Sequence, residues 1–264
     1  MLVALPILDT VENGRTVLTE QTLSRLMEVL RPTDRAVVYD NGSCALTLEV
    51  YAKLYQKYVN FSVILGHSNL GIAGGTNQAW RLAYPDEIVV KMDNDCMINT
   101  PGWPALIDYV FSKEPTVGIL GLKRRDLAES PTQSIAHYRT ELFYVEHKPG
   151  EYWIVLEEAK HIMGTCYAFS PMLRKQFGYL MQPGTVYGFD DSIAAARAHK
   201  LGFKTCFLPQ IDIDHLDVPG TESNDPYVVW KHQQAAEGMN EYHRIIAAIA
   251  SGTMPAYYNG GFVE

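Results

Sequence analysis

The sequence predicts an α/β protein: a Rossmann-like, mostly parallel sheet flanked by helices, with a helical extension at the C-terminus. Three observations predict it. Short β-branched runs such as Ile88-Val89-Val90 are continuous rather than alternating, as in strands buried on both faces. Between such runs lie stretches with apolar residues at three- and four-residue spacing, as at Leu23, Leu26, Met27 and Leu30. Strand and helix patterns alternate throughout residues 1–100, and parallel strands require crossovers of that kind.

Taken in order, Val3–Leu8 reads as the first strand and ends in Asp9-Thr10. Leu18–Leu30 is a helix with Thr19 or Thr22 as candidate cap and Pro32 as stop. Ala36–Tyr39 is the second strand, closed by the turn Asp40-Asn41-Gly42-Ser43. Leu46–Tyr58 is a helix and Phe61–Leu65 the third strand. His67–Asn77 carries Gly71, Gly74 and Gly75 and reads as a loop feeding a helix that ends near Leu82. Ile88–Met92 is the fourth strand. Past the break at Pro101-Gly102-Trp103-Pro104 come a short helix, Ala105–Phe111, and a strand, Val117–Leu122. Lys123–Lys160 is mixed, with charge, aromatics and Pro149-Gly150, and Lys123-Arg124-Arg125 forms a small basic patch that reads as a solvated turn, with contact to an anionic ligand as the alternative. His161–Phe169 and Phe203–Leu208 read as strands, Asp190–Leu201 and Pro226–Ala250 as helices, and Met254–Glu264 as a flap or loose tail. The division expected is one domain over residues 1–220, with halves 1–100 and 101–220, followed by an extension over 221–264.

The totals narrow the function. The chain has 264 residues, 47% apolar and 20% charged, enough for a large single core. A net charge of −8 argues against a dominant nucleic-acid-backbone binding mode, which needs a basic surface. No apolar run reaches the roughly 18 residues of a membrane span, so no integral membrane association is expected. MLVALPILDTVENG lacks the basic residues of a signal peptide. Four scattered cysteines without Cys-x-x-Cys fit reduced thiols and a cytoplasmic location, and make a zinc site improbable.

The chemistry collects at strand ends. Asp93-Asn94-Asp95 follows the fourth strand, and two carboxylates one residue apart can share one hard cation. The plain alternative is a polar strand-to-turn junction. Asp9-Thr10, Asp40–Ser43 and the glycine-bearing segment also follow strands, at the edge where open α/β sheets bind ligands. Gly71-x-x-Gly74-Gly75 has neither the dinucleotide spacing nor a Walker pattern. Its glycines serve either close approach of backbone to a ligand or tight helix–strand packing. Asp190-Asp191 opens a helix, where acids favour the macrodipole; one of them is also a candidate general base. Arg197 lies on another face of that helix from Asp191, as a partner for an acid elsewhere or for phosphate. In Ile211–Asp217, alternation puts Asp212 and Asp214 on one strand face and His215 on the other. His215 is a candidate metal ligand, or an ordinary core or surface histidine.

Six segments in this order resemble the nucleotide-sugar-dependent glycosyltransferases of family 2, which have the GT-A fold: Ala36–Ser43, Asn69–Asn77, Val89–Asp95, Gly164–Ser170, Gly188–Gly202 and Pro209–His215. The resemblance runs from about residue 3 to about 216 and makes residues 1–100 the nucleotide-binding half. It implies that Asp93 and Asp95 hold Mn²⁺ or Mg²⁺ on the diphosphate of a nucleoside-diphosphate sugar. Asp40 is then the acid that contacts the nucleoside, Asp191 the general base, and His215 a further metal ligand. The donor-contacting set expected on this basis is Pro6, Asp40, Asn41, Gly71, Gly74, Asn77, Asp93 and Arg197. The activity implied is metal-dependent transfer with inversion to a hydroxyl on a glycan, a small molecule or a modified nucleic acid. Some positions depart from the family pattern: Ile193 replaces a third acid, Asp190 stands where Glu is commoner, and the middle of Asp93-Asn94-Asp95 is polar. Two rivals remain. A nucleotidyltransferase would carry a Gly-rich, basic loop after strand one, which Asp9–Arg15 matches poorly. A non-catalytic sugar-nucleotide-binding protein of the same fold has no need to cluster four acids.

Overall fold

The computed structural model describes residues 1–125, 139–148, 152–216 and 226–261. The buried β-branched runs assemble as expected: β1 (Leu2–Ile7), β2 (Arg35–Asp40), β3 (Phe61–Leu65) and β4 (Val89–Met92) lie side by side in the order β3-β2-β1-β4, all parallel. Their crossovers are α1 (Thr16–Val29), α2 (Ala45–Lys57) and α3 (Gly71–Trp80). The later elements are β5 (Cys96–Ile98), α4 (Trp103–Lys113), β6 (Val117–Arg124), β7 (Arg139–Lys148), β8 (Tyr152–Ala159), β9 (Cys166–Phe169), α5 (Pro171–Phe177), α6 (Asp190–Lys200), β10 (Lys204–His215) and α7 (Pro226–Ser251). Beyond β4 the ten-stranded sheet turns mixed, in the order β9-β6-β10-β8-β7, with β5 paired to β10. β9 runs antiparallel to both neighbours, while β6 and β10 are parallel.

One apolar layer, with α1, α2 and α4, covers one face of the sheet; α3, α5 and α6 cover the other, and α7 packs on α6 through Ile193, Ile245 and Ile249. Both faces of β1 and β4 are therefore buried, and these strands can meet a ligand only at their ends. No helix among the described residues is long and apolar enough to cross a membrane.

Several expectations are corrected. Thr19 and Thr22 do not cap α1; they lie inside it, buried, and the helix opens after Arg15 without a side-chain cap. The glycine-bearing segment is not a loop but the helix α3 itself. Gly71 starts it at φ +72°, where a Cβ would sit 2.6 Å from the Val186 carbonyl oxygen, and a Cβ on Gly75 would press Pro6 and Tyr39 at 3.0 Å. Packing accounts for Gly75, and close backbone approach for Gly71. The strand expected over His161–Phe169 is confined to Cys166–Phe169, leaving residues 161–165 to turn past the sheet edge. β10 extends from the expected Phe203–Leu208 through His215, because Ile213 and His215 pair with Ile98 and Cys96. Part of Lys123–Lys160 is the β7–β8 hairpin. α5 was not foreseen: it is a seven-residue helix, too short for periodicity, marked only by Ser170, whose hydroxyl caps Leu173 N at 3.1 Å, and Pro171 at its first position. The expected boundary at residue 220 lies outside the described residues.

Candidate active site

The ends of β1, β2, β4 and β10 and the starts of α3, α6 and α7 surround one cavity of about 700 Å³. Of the residues singled out from sequence, Pro6, Asn41, Gly71, Asp93, Asp95, Asp190, Asp191 and His215 line it together. Asp40, Gly74, Asn77 and Arg197 do not, and local bonding explains three of them. Asp40 ties its own turn, accepting from Gly42 N and Ser43 N at 3.1 Å and from the Tyr51 hydroxyl at 3.2 Å. Asn77 spends both ends of its amide on the Leu180 backbone at 2.9 Å. The expected donor contact from Arg197 is corrected most sharply. The side chain is fully buried, its guanidinium lies 3.7 Å over the Phe177 ring, and it donates to the carbonyls of Phe177, Tyr179 and Ala256. It pins the C-terminal tail to the body, and burial without a carboxylate pushes its pKa down to about 9.

The floor is a charge lattice around Lys91. This residue stands in an apolar strand, 1% exposed, and donates to Asp93 and to the Gly164 carbonyl. Burial alone would lower its pKa, but Asp93, Asp190 and Asp191 hold it charged and raise it. Asp95 is salt-bridged to Arg15, which also lies 4.6 Å over the Tyr227 ring. Asn94, the polar middle residue, donates to Asp9 at 2.9 Å and Thr19 at 2.8 Å, anchoring the turn to β1 and α1. His215 places Nε2 3.5 Å from Asp95 Oδ2, while Asp212 and Asp214, on the opposite strand face as expected, take Arg125. The basic patch is thus divided: Lys123 pairs with Glu157 at 3.0 Å, Arg125 with the two aspartates, and Arg124 turns to the cavity, 3.4 Å from the Thr165 hydroxyl.

The two acids of α6 part ways. Phe189, at φ +66°, precedes the helix, so Asp190 is its first residue rather than its cap. Asp190 points inward and accepts from the Tyr167 hydroxyl at 2.8 Å, and burial raises its pKa. Asp191 opens onto the cavity. Enclosure would raise its pKa, but bonding to His161, the charge of His161, the Ser192 N–H and Lys91 bring it below the usual carboxylate value.

Two of these groups suit a divalent cation. Among the described residues Asp95 Oδ1 and His215 Nδ1 are buried without hydrogen-bond partners, and a carboxylate–imidazole pair is a donor set that such an ion accepts. Among the described residues no three His, Cys, Asp or Glu side chains already converge as a cage. Asp95 and His215 fit a cation that completes its shell with phosphate oxygens and water; Asp93 shares its Oδ1 with Lys91.

Sequence reasoning passed over Lys91, Arg15 and the wall formed by Tyr187, Tyr227, Trp230 and Lys231, and read Arg124 as part of a solvated turn. Lys91 carried a visible signal, a lone charge within a buried run. The wall carried none, because α7 reaches the cavity only through tertiary packing. In it the Tyr187 and Trp230 rings are 5.7 Å apart and Lys231 lies 4.3 Å over Tyr227.

This sheet, with its acids at the carboxyl edge, defines a GT-A fold. It aligns with a mannosyltransferase from Pyrobaculum calidifontis, solved with GDP-Man and Mn²⁺, at a TM-score of 0.65 and 17% identity over 92% of this chain and 64% of that one. It aligns with residues 1–349 of S. aureus TarS solved with UDP at 0.57 and 16%, over 94% and 65% of the two chains. A GalNAc-T7 structure with UDP, GalNAc and Mn²⁺ gives 0.57 and 12%, over 92% and 49%. At these identities the likeness establishes fold alone, and the chain spans less than two thirds of the length of each. No curated protein matches by sequence. The profile of glycosyl transferase family 2 matches residues 16–178, more than half of the chain, and the chain belongs to that family.

Proposed function

We propose that the protein is an inverting, metal-dependent glycosyltransferase that moves a sugar from a nucleoside-diphosphate donor to an acceptor hydroxyl. The observation that carries this reading is convergence: Asp93, Asp95, Asp191 and His215, distant in sequence, line one cavity. Family membership supports it, as do the nucleotide, sugar and Mn²⁺ with which two of the structural neighbours were solved. Pro6, Asn41 and Gly71 border the nucleotide end, where backbone can approach a ligand closely. Asp95 and His215 would hold Mn²⁺ or Mg²⁺, which when bound supplies positive charge to the leaving diphosphate. Arg15 and Arg124 add charge of the same sign to that end. Asp191, kept ionised, removes the proton of the attacking hydroxyl, and attack opposite the leaving group inverts the anomeric centre. Tyr187 and Trp230 offer rings against which a sugar or base can lie.

The test is a thermal-shift screen of nucleoside-diphosphate sugars with and without Mn²⁺, followed by product identification. A stabilising donor raises the midpoint by mass action, and nucleoside diphosphate is then released. Release of pyrophosphate instead would favour nucleotidyl transfer; binding without turnover of any acceptor class would favour a non-catalytic protein.

A further inference from the structure

His161 lies outside every role assigned so far. It sits in the turn between β8 and β9, does not line the cavity, and stands behind Asp191, which does. Its Nε2 is 3.4 Å from Asp191 Oδ2 and 3.0 Å from the Ser192 hydroxyl. On the other side, Asp191 Oδ1 accepts the Ser192 N–H at 2.7 Å and its hydroxyl at 3.3 Å. Gly164, on the cavity side, leaves the space beside Oδ2 open, since a Cβ there would be 3.2 Å from it. Each oxygen of the carboxylate therefore has a protein partner, His161 for Oδ2 and Ser192 for Oδ1.

We propose that His161 is a positioning residue for the general base: its imidazole fixes the Asp191 carboxylate in the orientation that faces the acceptor and keeps it ionised. This rests on the reading of Asp191 as the base. Among the described residues the charges of Asp190 on the same helix and Lys91 on β4 act on the pair. Burial would lower the His161 pKa, but the bond to Asp191 and the charges of Asp191 and Asp190 raise it above the ordinary histidine value. His161 makes no bond to substrate and takes no proton in the step; the acceptor proton goes to Asp191.

Two measurements test this. In the free protein, the His161 ring is followed by ¹H–¹⁵N NMR through a pH titration and assigned with His161→Gln. Its midpoint should lie above that of an exposed histidine and should fall by about one pH unit in Asp191→Asn; an unmoved midpoint overturns the proposal. The second measurement is Mn²⁺-dependent hydrolysis of UDP-glucose and GDP-mannose, with water as acceptor. His161→Ala should lower kcat about ten-fold, as loss of a hydrogen-bonded partner behind a reacting group does, with donor KM unchanged. His161→Gln, which keeps an N–H donor but no charge, should recover most of kcat and move the acid limb of the pH profile upward. Wild-type kcat in His161→Ala, or equal loss in both variants with donor KM rising, overturns the proposal. If His161→Ala does not fold, or if neither donor is hydrolysed, the NMR titration decides. Wild-type turnover in Asp191→Asn would instead remove the base assignment itself.

Discussion

Two acidic pairs face the same cavity and are built in opposite ways. Asp93 and Asp95 are one residue apart past a strand end, and each meets a cation, Lys91 and Arg15. Asp190 and Asp191 are adjacent in the first turn of α6, where consecutive side chains point about 100° apart. One of these turns into the core towards Tyr167, and the other out to the cavity and His161. Identical side chains thus take different work because strand and helix geometry aim them differently. The first pair is placed against two cations, and in the second one acid bonds the buried Tyr167 while the other bonds His161.

The comparison can be broken most directly within the second pair. Asp191→Asn should cut turnover by roughly 10²–10⁴-fold with donor affinity retained. Asp190→Asn should keep donor binding yet lose about 1–3 kcal/mol of stability by disturbing the buried Tyr167 bond, read from denaturant midpoints. The reverse pattern would exchange their roles. Next in size is Lys91→Met. It leaves Asp93 and Asp190 without their shared buried cation, and should destabilise the fold by about 3–5 kcal/mol in guanidinium unfolding. A neutral outcome would mean that the acids are protonated in the folded state.

A smaller effect sharpens the first pair. Asp95→Asn should abolish the Mn²⁺-dependent part of a donor stabilisation that in total amounts to about 2.7 kcal/mol when donor stands at about 100 times its Kd. Chelation of the wild type should match it, whereas Asp93→Asn should lose less, since Asp93 is committed to Lys91. The smallest effect is on pH dependence. The raised pKa of His161 contributes stability that is fully present below its unfolded value of about 6.5 and is lost as pH rises through the folded one. The lowered pKa of Asp191 contributes stability above its unfolded value and loses it as pH falls. The Tm advantage of wild type over His161→Gln should therefore shrink as pH rises from the unfolded histidine value of about 6.5 through the raised folded one; a constant gap would exclude an ionic bond.

Much of the parallel half was legible along the chain. Val3–Leu8, Ala36–Tyr39, Phe61–Leu65 and Ile88–Met92 each fell within two residues of a strand, because burial on both faces demands continuous apolar side chains. Alternation in Ile211–Asp217 separated His215 from Asp212 and Asp214 for an equally local reason. The glycine-bearing segment was less legible, since the same residues suit a ligand loop or a tightly packed helix, and only Pro6, Tyr39 and Val186 across the gap choose between them. Arg197 shows the limit. Its charge pointed to phosphate, yet three carbonyls from distant segments and the Phe177 ring claim it first.

What the order of residues settled was local: the strand and helix periods, the positions of acids at strand ends, and the family to which they correspond. Folding in three dimensions settled who meets whom. It set Lys91 beneath three aspartates, brought His161 behind Asp191, laid α7 along the cavity and took Arg197 away from it. Periodicity acts over a few bonds of backbone and can be read in line. Charge pairing and burial act through space, between groups whose separation along the chain carries no trace of their contact.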